Sequence, residues 1–199
     1  MSTPFTLRTL SEMPATPPPL SESALILVDC QNTYREGTMA LEGVEAALEQ
    51  CRGLLERARK LGVPIFHIQH DSGVGSPYDI TAPIGQIAAP VQPQGNEPVI
   101  VKTYPNSFLH TDLDQRLKAI DAKNLVIVGF MTHMCISSTA RAAFDLGYAS
   151  AVVGAATATR ALPGIAADFV PASQVQASNL AAIADLFAIV VSDAAAIPD

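Results

Sequence analysis

The stretch that most constrains the fold runs from Leu125 to Tyr148 and reads LVIVGFMTHMCISSTARAAFDLGY. It opens with four apolar, mostly β-branched residues, Leu125-Val126-Ile127-Val128. That run is too short for a helix and has the composition of a strand buried in a parallel sheet. Gly129 breaks it, Thr132 and His133 follow, and Cys135 comes next. Beyond Cys135, the small and apolar residues Ala140, Ala143, Phe144 and Gly147 recur at three- and four-residue spacing, as in a helix packed closely on a sheet. The pattern predicts strand, turn and helix, with Cys135 in the first turn of the helix. Unpaired N–H groups and the positive end of the helix dipole collect there, and both favour a thiolate. On this stretch alone two readings stay open. Cys135 is a nucleophile, or it is a plain buried cysteine, since free Cys is among the most buried residue types.

Two further runs bear on that choice. Ala24-Leu25-Ile26-Leu27-Val28 has the same buried-strand character and ends in Asp29. Pro98-Val99-Ile100-Val101 is a third such run and ends in Lys102. An Asp, a Lys and a Cys thus each stand just past the C-terminal end of a predicted parallel strand, the edge where ligands bind in open α/β sheets. The plain alternative for Asp29 and Lys102 is a salt bridge, which leaves the cysteine at the third strand end unexplained.

These same residues carry a resemblance. Asp29-Cys30-Gln31-Asn32 resembles the Asp-x-Gln segment of the isochorismatase-like cysteine hydrolases. Lys102-Thr103-Tyr104-Pro105-Asn106-Ser107-Phe108 looks like their Lys-(x)4-Ser-x-Phe segment, and Gly129-Phe130-Met131-Thr132-His133-Met134-Cys135-Ile136 is similar to their Gly-x-x-Thr-x-x-Cys-Val segment, with Ile for Val. Order and spacing agree from about Ala24 to the C-terminus. The family includes nicotinamidases, N-carbamoylsarcosine amidases, ureidoacrylate hydrolases, streptothricin hydrolases and the isochorismatases, which cleave a vinyl ether and lack the catalytic cysteine. The resemblance implies a strand order 3-2-1-4-5-6, an oxyanion hole formed by the N–H groups of Met131 and Cys135, and a cis Phe130-Met131 peptide bond.

The chain has 199 residues, 49% of them hydrophobic, which suits one large α/β domain with an ample core. Its net charge of −7 is spread along the chain without a basic cluster, which argues against nucleic acid and anionic membranes as partners. Three cysteines without a CxxC spacing argue against a disulfide framework or a zinc knuckle. With no apolar run of membrane-spanning length and no apolar signal core, a cytoplasmic location is expected.

Residues 1–23 hold Pro4, Pro14, Pro17, Pro18 and Pro19 and are expected to form an extended arm, either wrapped on the domain or a neighbouring subunit or disordered, with the hydrolase domain at 24–199. Val44, Leu48, Cys51, Leu55 and Ala58 predict a helix over 42–61 stopped by Gly62, and both Cys51 and Cys30 are assigned to packing. Val63 to Gln69 is the next strand. Its His67 and the following His70 invite a metal reading, but the Asp-x-His pattern of the nicotinamidases is missing and alternation puts the two rings on opposite faces. No metal and no cofactor are expected. His70 to Glu97 is a long Gly- and Pro-rich loop suited to substrate contacts. Thr111 to Lys123 predicts a short helix capped by Thr111, with Leu113, Leu117 and Ile120 inward. Ala149 to Gly154 is a strand, 155–169 a loop with Thr157, Thr159 and Arg160, Pro171 to Phe187 a final helix, and Ala188 to Val191 the last strand. Six strands alternating with helices predict a three-layer αβα sandwich around a parallel sheet.

The expected chemistry is hydrolysis of a C–N bond in a small amide, ureide or lactam. Asp29 takes the thiol proton, Cys135 attacks a carbonyl carbon, and Lys102 places positive charge beside the thiolate. Gln31, Tyr34, Tyr104, Phe108, Phe130 and His133 are the candidate pocket residues. The rivals are vinyl ether hydrolysis and a non-catalytic binding or redox-sensing protein on the same fold. Family habit and the proline arm imply a homo-oligomer.

Overall fold

The computed structural model describes residues 4–165 and 168–199. Six strands form one parallel sheet: β1 (Ser23–Val28), β2 (Ile65–His70), β3 (Val99–Lys102), β4 (Asn124–Phe130), β5 (Ala149–Ala158) and β6 (Ile189–Val191). Their order is β3-β2-β1-β4-β5-β6, the order that the resemblance implies. A two-residue antiparallel pair, Leu162–Pro163 with Phe169–Val170, lies outside it.

The helices are α1 (Leu7–Leu10), α2 (Val44–Leu61), α3 (Leu113–Ala119), α4 (Ser137–Asp145) and α5 (Ala172–Leu186). Alternation along the strands sorts the core into two layers. Leu25, Leu27, Val126 and Val128 face Leu48, Cys51, Leu54 and Leu55 of α2. Ala24, Ile26, Val28, Leu125 and Ile127 face Leu113 and Leu117 of α3, Ala140 and Ala143 of α4, and Ile183 of α5. The central strands therefore bury both faces, which is why their sequences are continuous apolar runs. Each fully buried Leu or Ile contributes about 1.5–3 kcal/mol relative to exposure.

Several boundaries differ from the sequence expectation. The helix expected over Thr111 to Lys123 is only α3. Asp112, not Thr111, stands at its N-cap and makes no side-chain cap bond, while Thr111 Oγ1 donates to Ser107 O and accepts from Leu113 N–H at 3.4 Å. The chain turns off at Ile120, which is 47% exposed, and Asp121 takes a left-handed φ of 54°. The strand expected to stop at Gly154 continues to Ala158. Its far end pairs Thr157 with Gly129 and Ala158 with Phe130, across a register shift that follows Ile127.

Residues 4–22 pack on the same domain. Leu7 N–H donates to Asp185 Oδ1 at 3.0 Å, Arg8 donates to Leu186 O at 3.0 Å, and Leu20 N–H donates to Pro198 O at 2.7 Å. Among the described residues no helix is long and apolar enough to cross a membrane.

Candidate active site

Asp29 follows β1 directly, in a left-handed turn with φ 49°, and its N–H donates to Ile68 O at 3.0 Å. Lys102 is the last residue of β3, and Cys135 lies in the turn between β4 and α4. The parallel sheet brings all three to its C-terminal edge. Lys102 Nζ lies 2.7 Å from Asp29 Oδ2 and donates to Cys135 Sγ at 3.3 Å. The Asp29 and Lys102 side chains are 0% exposed. Their contact is an ion pair, and neither Asp29 oxygen has a hydrogen-bond partner among the described residues. A buried carboxylate without hydrogen bonds is costly to maintain, and the Lys102 ammonium is the charge that offsets that cost here.

The Cys135 turn is not the simple helix start expected. Thr132–Ile136 form a single π-helical turn, and the regular helix starts at Ser137. Met131 O is taken by the N–H groups of Met134 and Ile136, at 3.0 and 3.2 Å, and the N–H of Cys135 between them is skipped. Met131 N–H has no hydrogen-bond partner among the described residues. The Phe130-Met131 peptide bond is cis. Thr132 Oγ1 donates to Ala158 O at 3.1 Å and pins the turn to the end of β5. At Gly129, with φ +115°, a Cβ would lie 2.0 Å from Val28 O, so only glycine lets β4 approach β1 at this point.

The electrostatics at Cys135 run against a resting thiolate. Burial pushes the thiol well above its ordinary range and the Asp29 charge pushes the same way; Lys102 pulls down but does not prevail. The helix-end argument of the sequence is thereby corrected. The thiol rests protonated, and the base that must take its proton is the neighbouring carboxylate.

The isochorismatase domain model matches residues 23–195. The chain belongs to the isochorismatase family. It is 39% identical over 171 residues to an isochorismatase family protein of Bacillus subtilis, covering 84% of this chain and 94% of that one. It is 33% identical over 177 residues to a streptothricin hydrolase of Streptomyces noursei, covering 88% of this chain and 64% of that one. The crystal structure of an isochorismatase from Pseudomonas putida KT2440 aligns with a TM-score of 0.94 at 36% identity, covering 98% of this chain and all of that one (100%).

Within this isochorismatase-family fold the remaining candidates part company. Tyr34 is buried, with its ring edge-on to Phe130 at 5.7 Å. Phe130 is fully buried in the core against α2. His133 is half-buried two residues before Cys135, with Nδ1 2.6 Å from Thr159 Oγ1. Burial and then Arg160 lower its pKa. Gln31 does not present its amide to a ligand. Nε2 donates to His70 O and Gly85 O, at 2.9 and 2.7 Å, and Oε1 accepts from His70 N–H at 2.9 Å. Phe108 follows Ser107 directly, one place short of the family spacing, and stacks on Tyr148 just ahead of β5, at the opposite edge of the sheet from Asp29, Lys102 and Cys135. Tyr104 is 46% exposed and its ring tilts against His110. Ser107 of the same segment is buried and pairs with Thr139 Oγ1 at 2.8 Å, tying the loop after β3 to α4.

Two residues outside the candidate pocket set stand at the site: His70, which the sequence offers only as a metal ligand, and Tyr78. His70 Nδ1 lies 3.1 Å from Lys102 Nζ, and the Tyr78 ring meets both His70 and Tyr34 edge-on, at 4.9 and 5.9 Å. The loop that carries Tyr78 is pinned by Gly85 O, which also accepts from Gln69 Nε2 at 2.8 Å. His67 faces away, 2.9 Å from Glu97. The two histidines therefore do not converge. Among the described residues no group of three or more His, Cys, Asp and Glu side chains is placed to hold a metal ion.

Proposed function

We propose that this isochorismatase-family hydrolase cleaves a C–N bond of a small amide, ureide or lactam through a covalent intermediate on Cys135. The observation that carries this reading is the single ammonium of Lys102 touching Asp29 Oδ2 and Cys135 Sγ together, at 2.7 and 3.3 Å. A salt bridge alone has no use for the sulfur. The similarity to a streptothricin hydrolase supports hydrolysis, and a thiol held protonated requires the base that Asp29 supplies.

The steps balance as follows. Asp29 accepts the Sγ–H proton as Sγ bonds to the carbonyl carbon, and the π pair moves to oxygen. The N–H groups of Met131 and Cys135 hold that oxyanion, a task in which one donor contributes about 10²–10³ in rate. The C=O re-forms, the C–N bond breaks, and Asp29 passes its proton to the leaving nitrogen. Water then gives a proton to Asp29 and attacks the acyl carbon. The C–S bond breaks and the proton returns to sulfur. Tyr34, Tyr78 and His133 wall the substrate.

A panel of amides, ureides and lactams, with a vinyl ether beside them, is assayed for ammonia, amine or alcohol release. The acyl adduct is sought by intact mass on the quenched enzyme. The expected result is amine release that Cys135→Ala abolishes, with an adduct on the Cys135 peptide. Amine release that survives Cys135→Ala, or turnover of the vinyl ether alone, overturns the proposal.

A further inference from the structure

His70 is the last residue of β2 and pairs in register with Lys102, the last residue of β3. Residues paired across parallel strands share a face. Its Nδ1 lies 3.1 Å from Lys102 Nζ and its Nε2 lies 3.0 Å from Ser72 Oγ. An ammonium has no lone pair and can only donate. Nδ1 is therefore the acceptor, the ring is neutral, and the proton sits on Nε2, where it donates to Ser72. The backbone of His70 is clamped on both sides by the amide of Gln31, which takes its N–H and donates to its carbonyl. The Asp-x-Gln segment thus supplies the carboxylate at its first position and fixes the lysine's third partner through its last.

We propose that His70 is a positioning residue: as a neutral imidazole it accepts a hydrogen bond from Lys102 through Nδ1 and holds the ammonium on Asp29 and Cys135. Lys102 has three contacts: an ion pair to Asp29 and hydrogen bonds to Cys135 Sγ and His70 Nδ1. Two neighbours, Asp29 and Cys135, change charge during the reaction proposed above, on which this role rests. His70 is the contact that does not. A protonated ring replaces the acceptor with a donor and sets two cations 3.1 Å apart, so acidification frees Lys102 from the sulfur. The charged and titratable groups facing the ring are Lys102 from β3, Asp29 from the end of β1, Asp71 beside it in the chain, and Tyr78 from the long loop. Burial first and Lys102 next favour the neutral ring, with Asp29 and Asp71 opposing.

Three measurements test this. In the wild-type protein, long-range ¹H–¹⁵N NMR of the imidazoles, assigned by the loss of one ring in His70→Asn, is expected to show the Nε2–H tautomer at pH 7. An Nδ1–H tautomer or an imidazolium overturns the proposal without reference to any substrate. In His70→Leu, which lacks an acceptor, kcat is expected to fall about ten- to a hundredfold with KM within about threefold, the loss typical of one hydrogen bond to a charged group. His70→Asn, whose Oδ1 sits near the place of Nδ1, is expected to restore most of that kcat and to move the acid limb of kcat/KM to lower pH. Equal kcat in all three proteins, or an unmoved acid limb in His70→Asn, overturns the role. If the wild type hydrolyses nothing, the same comparison is read from the pH dependence of Cys135 alkylation by iodoacetamide. That outcome sinks the proposed function and leaves this test standing.

Discussion

Replacing Lys102 by Met leaves Asp29 fully buried with no cation beside it. The two charged atoms lie 2.7 Å apart and both side chains are 0% exposed. At an effective dielectric of about 20 that separation corresponds to an attraction of about 6 kcal/mol, set against the cost of desolvating both groups. Removing one partner of such a pair typically costs about 3–5 kcal/mol, because the other charge stays buried. For a chain of this length each kcal/mol moves the melting temperature by about 2–4 °C, so Lys102→Met is expected to melt about 6–20 °C below the wild type. The double variant Asp29→Asn/Lys102→Met buries no charge at this point. It is expected to melt above Lys102→Met while remaining as inactive. Circular dichroism melts of the four proteins at pH 7 form a double-mutant cycle. Strictly additive losses, or a Lys102→Met protein melting within about 2 °C of wild type, would refute the reasoning, because the pair would then carry no coupling.

Gly129→Ala places a Cβ 2.0 Å from Val28 O at a φ of +115°, and is expected to lose about 2–6 kcal/mol. Gly154→Ala, whose nearest neighbours are 3.3 Å away, serves as the milder control, and equal melting of the two variants counts against the account. Because burial and Asp29 raise the Cys135 thiol, its alkylation by iodoacetamide is expected to keep accelerating up to pH 9; a plateau near pH 7 contradicts the protonated resting state. Burial pushes the Glu97 carboxyl up, yet Arg59, Gln94 N–H and His67 outweigh it and hold it at about 2, against an ordinary 4.5. Its stabilisation is therefore complete above pH 4.5 and lost as pH falls through about 2. Glu97→Gln should melt below wild type at pH 7 and converge with it in acid, and a gap that is constant with pH denies the linkage. Because His67 and His70 turn to different partners, activity is expected to survive EDTA, and restoration by added zinc or iron after chelation would contradict it.

The strands were legible because the central ones bury both faces, so that Leu25 to Val28 and Leu125 to Val128 carry a continuous apolar signal that no exposed position interrupts. Asp29 and Cys135 were legible for a related reason, since each follows such a run towards the C-terminal edge. Lys102 closes β3, an edge strand whose Val99 and Val101 are 42% and 43% exposed, so its run reads as buried although only Ile100 among its valines and isoleucine is. His70 escaped by one residue. Alternation separates it correctly from His67. However, β2 continues through His70, and only the register that pairs His70 with Lys102 turns a solitary histidine into a neighbour of the lysine. Strand register is set by contacts between distant segments and leaves no local mark. Phe108 and Tyr104 lie on a non-periodic loop, where no spacing says which side chain turns inward. Gln31 has a different ambiguity, since a primary amide suits backbone groups as well as it suits a ligand, and three bonds to His70 and Gly85 decide it. The state of the Cys135 thiol was beyond reach for a stronger reason. Its helix-end position and the lysine argue for a thiolate, while burial and the Asp29 charge argue for a thiol. The sign of that sum depends on burial, which the fold alone determines, and burial makes the carboxylate beside Cys135 a necessary base.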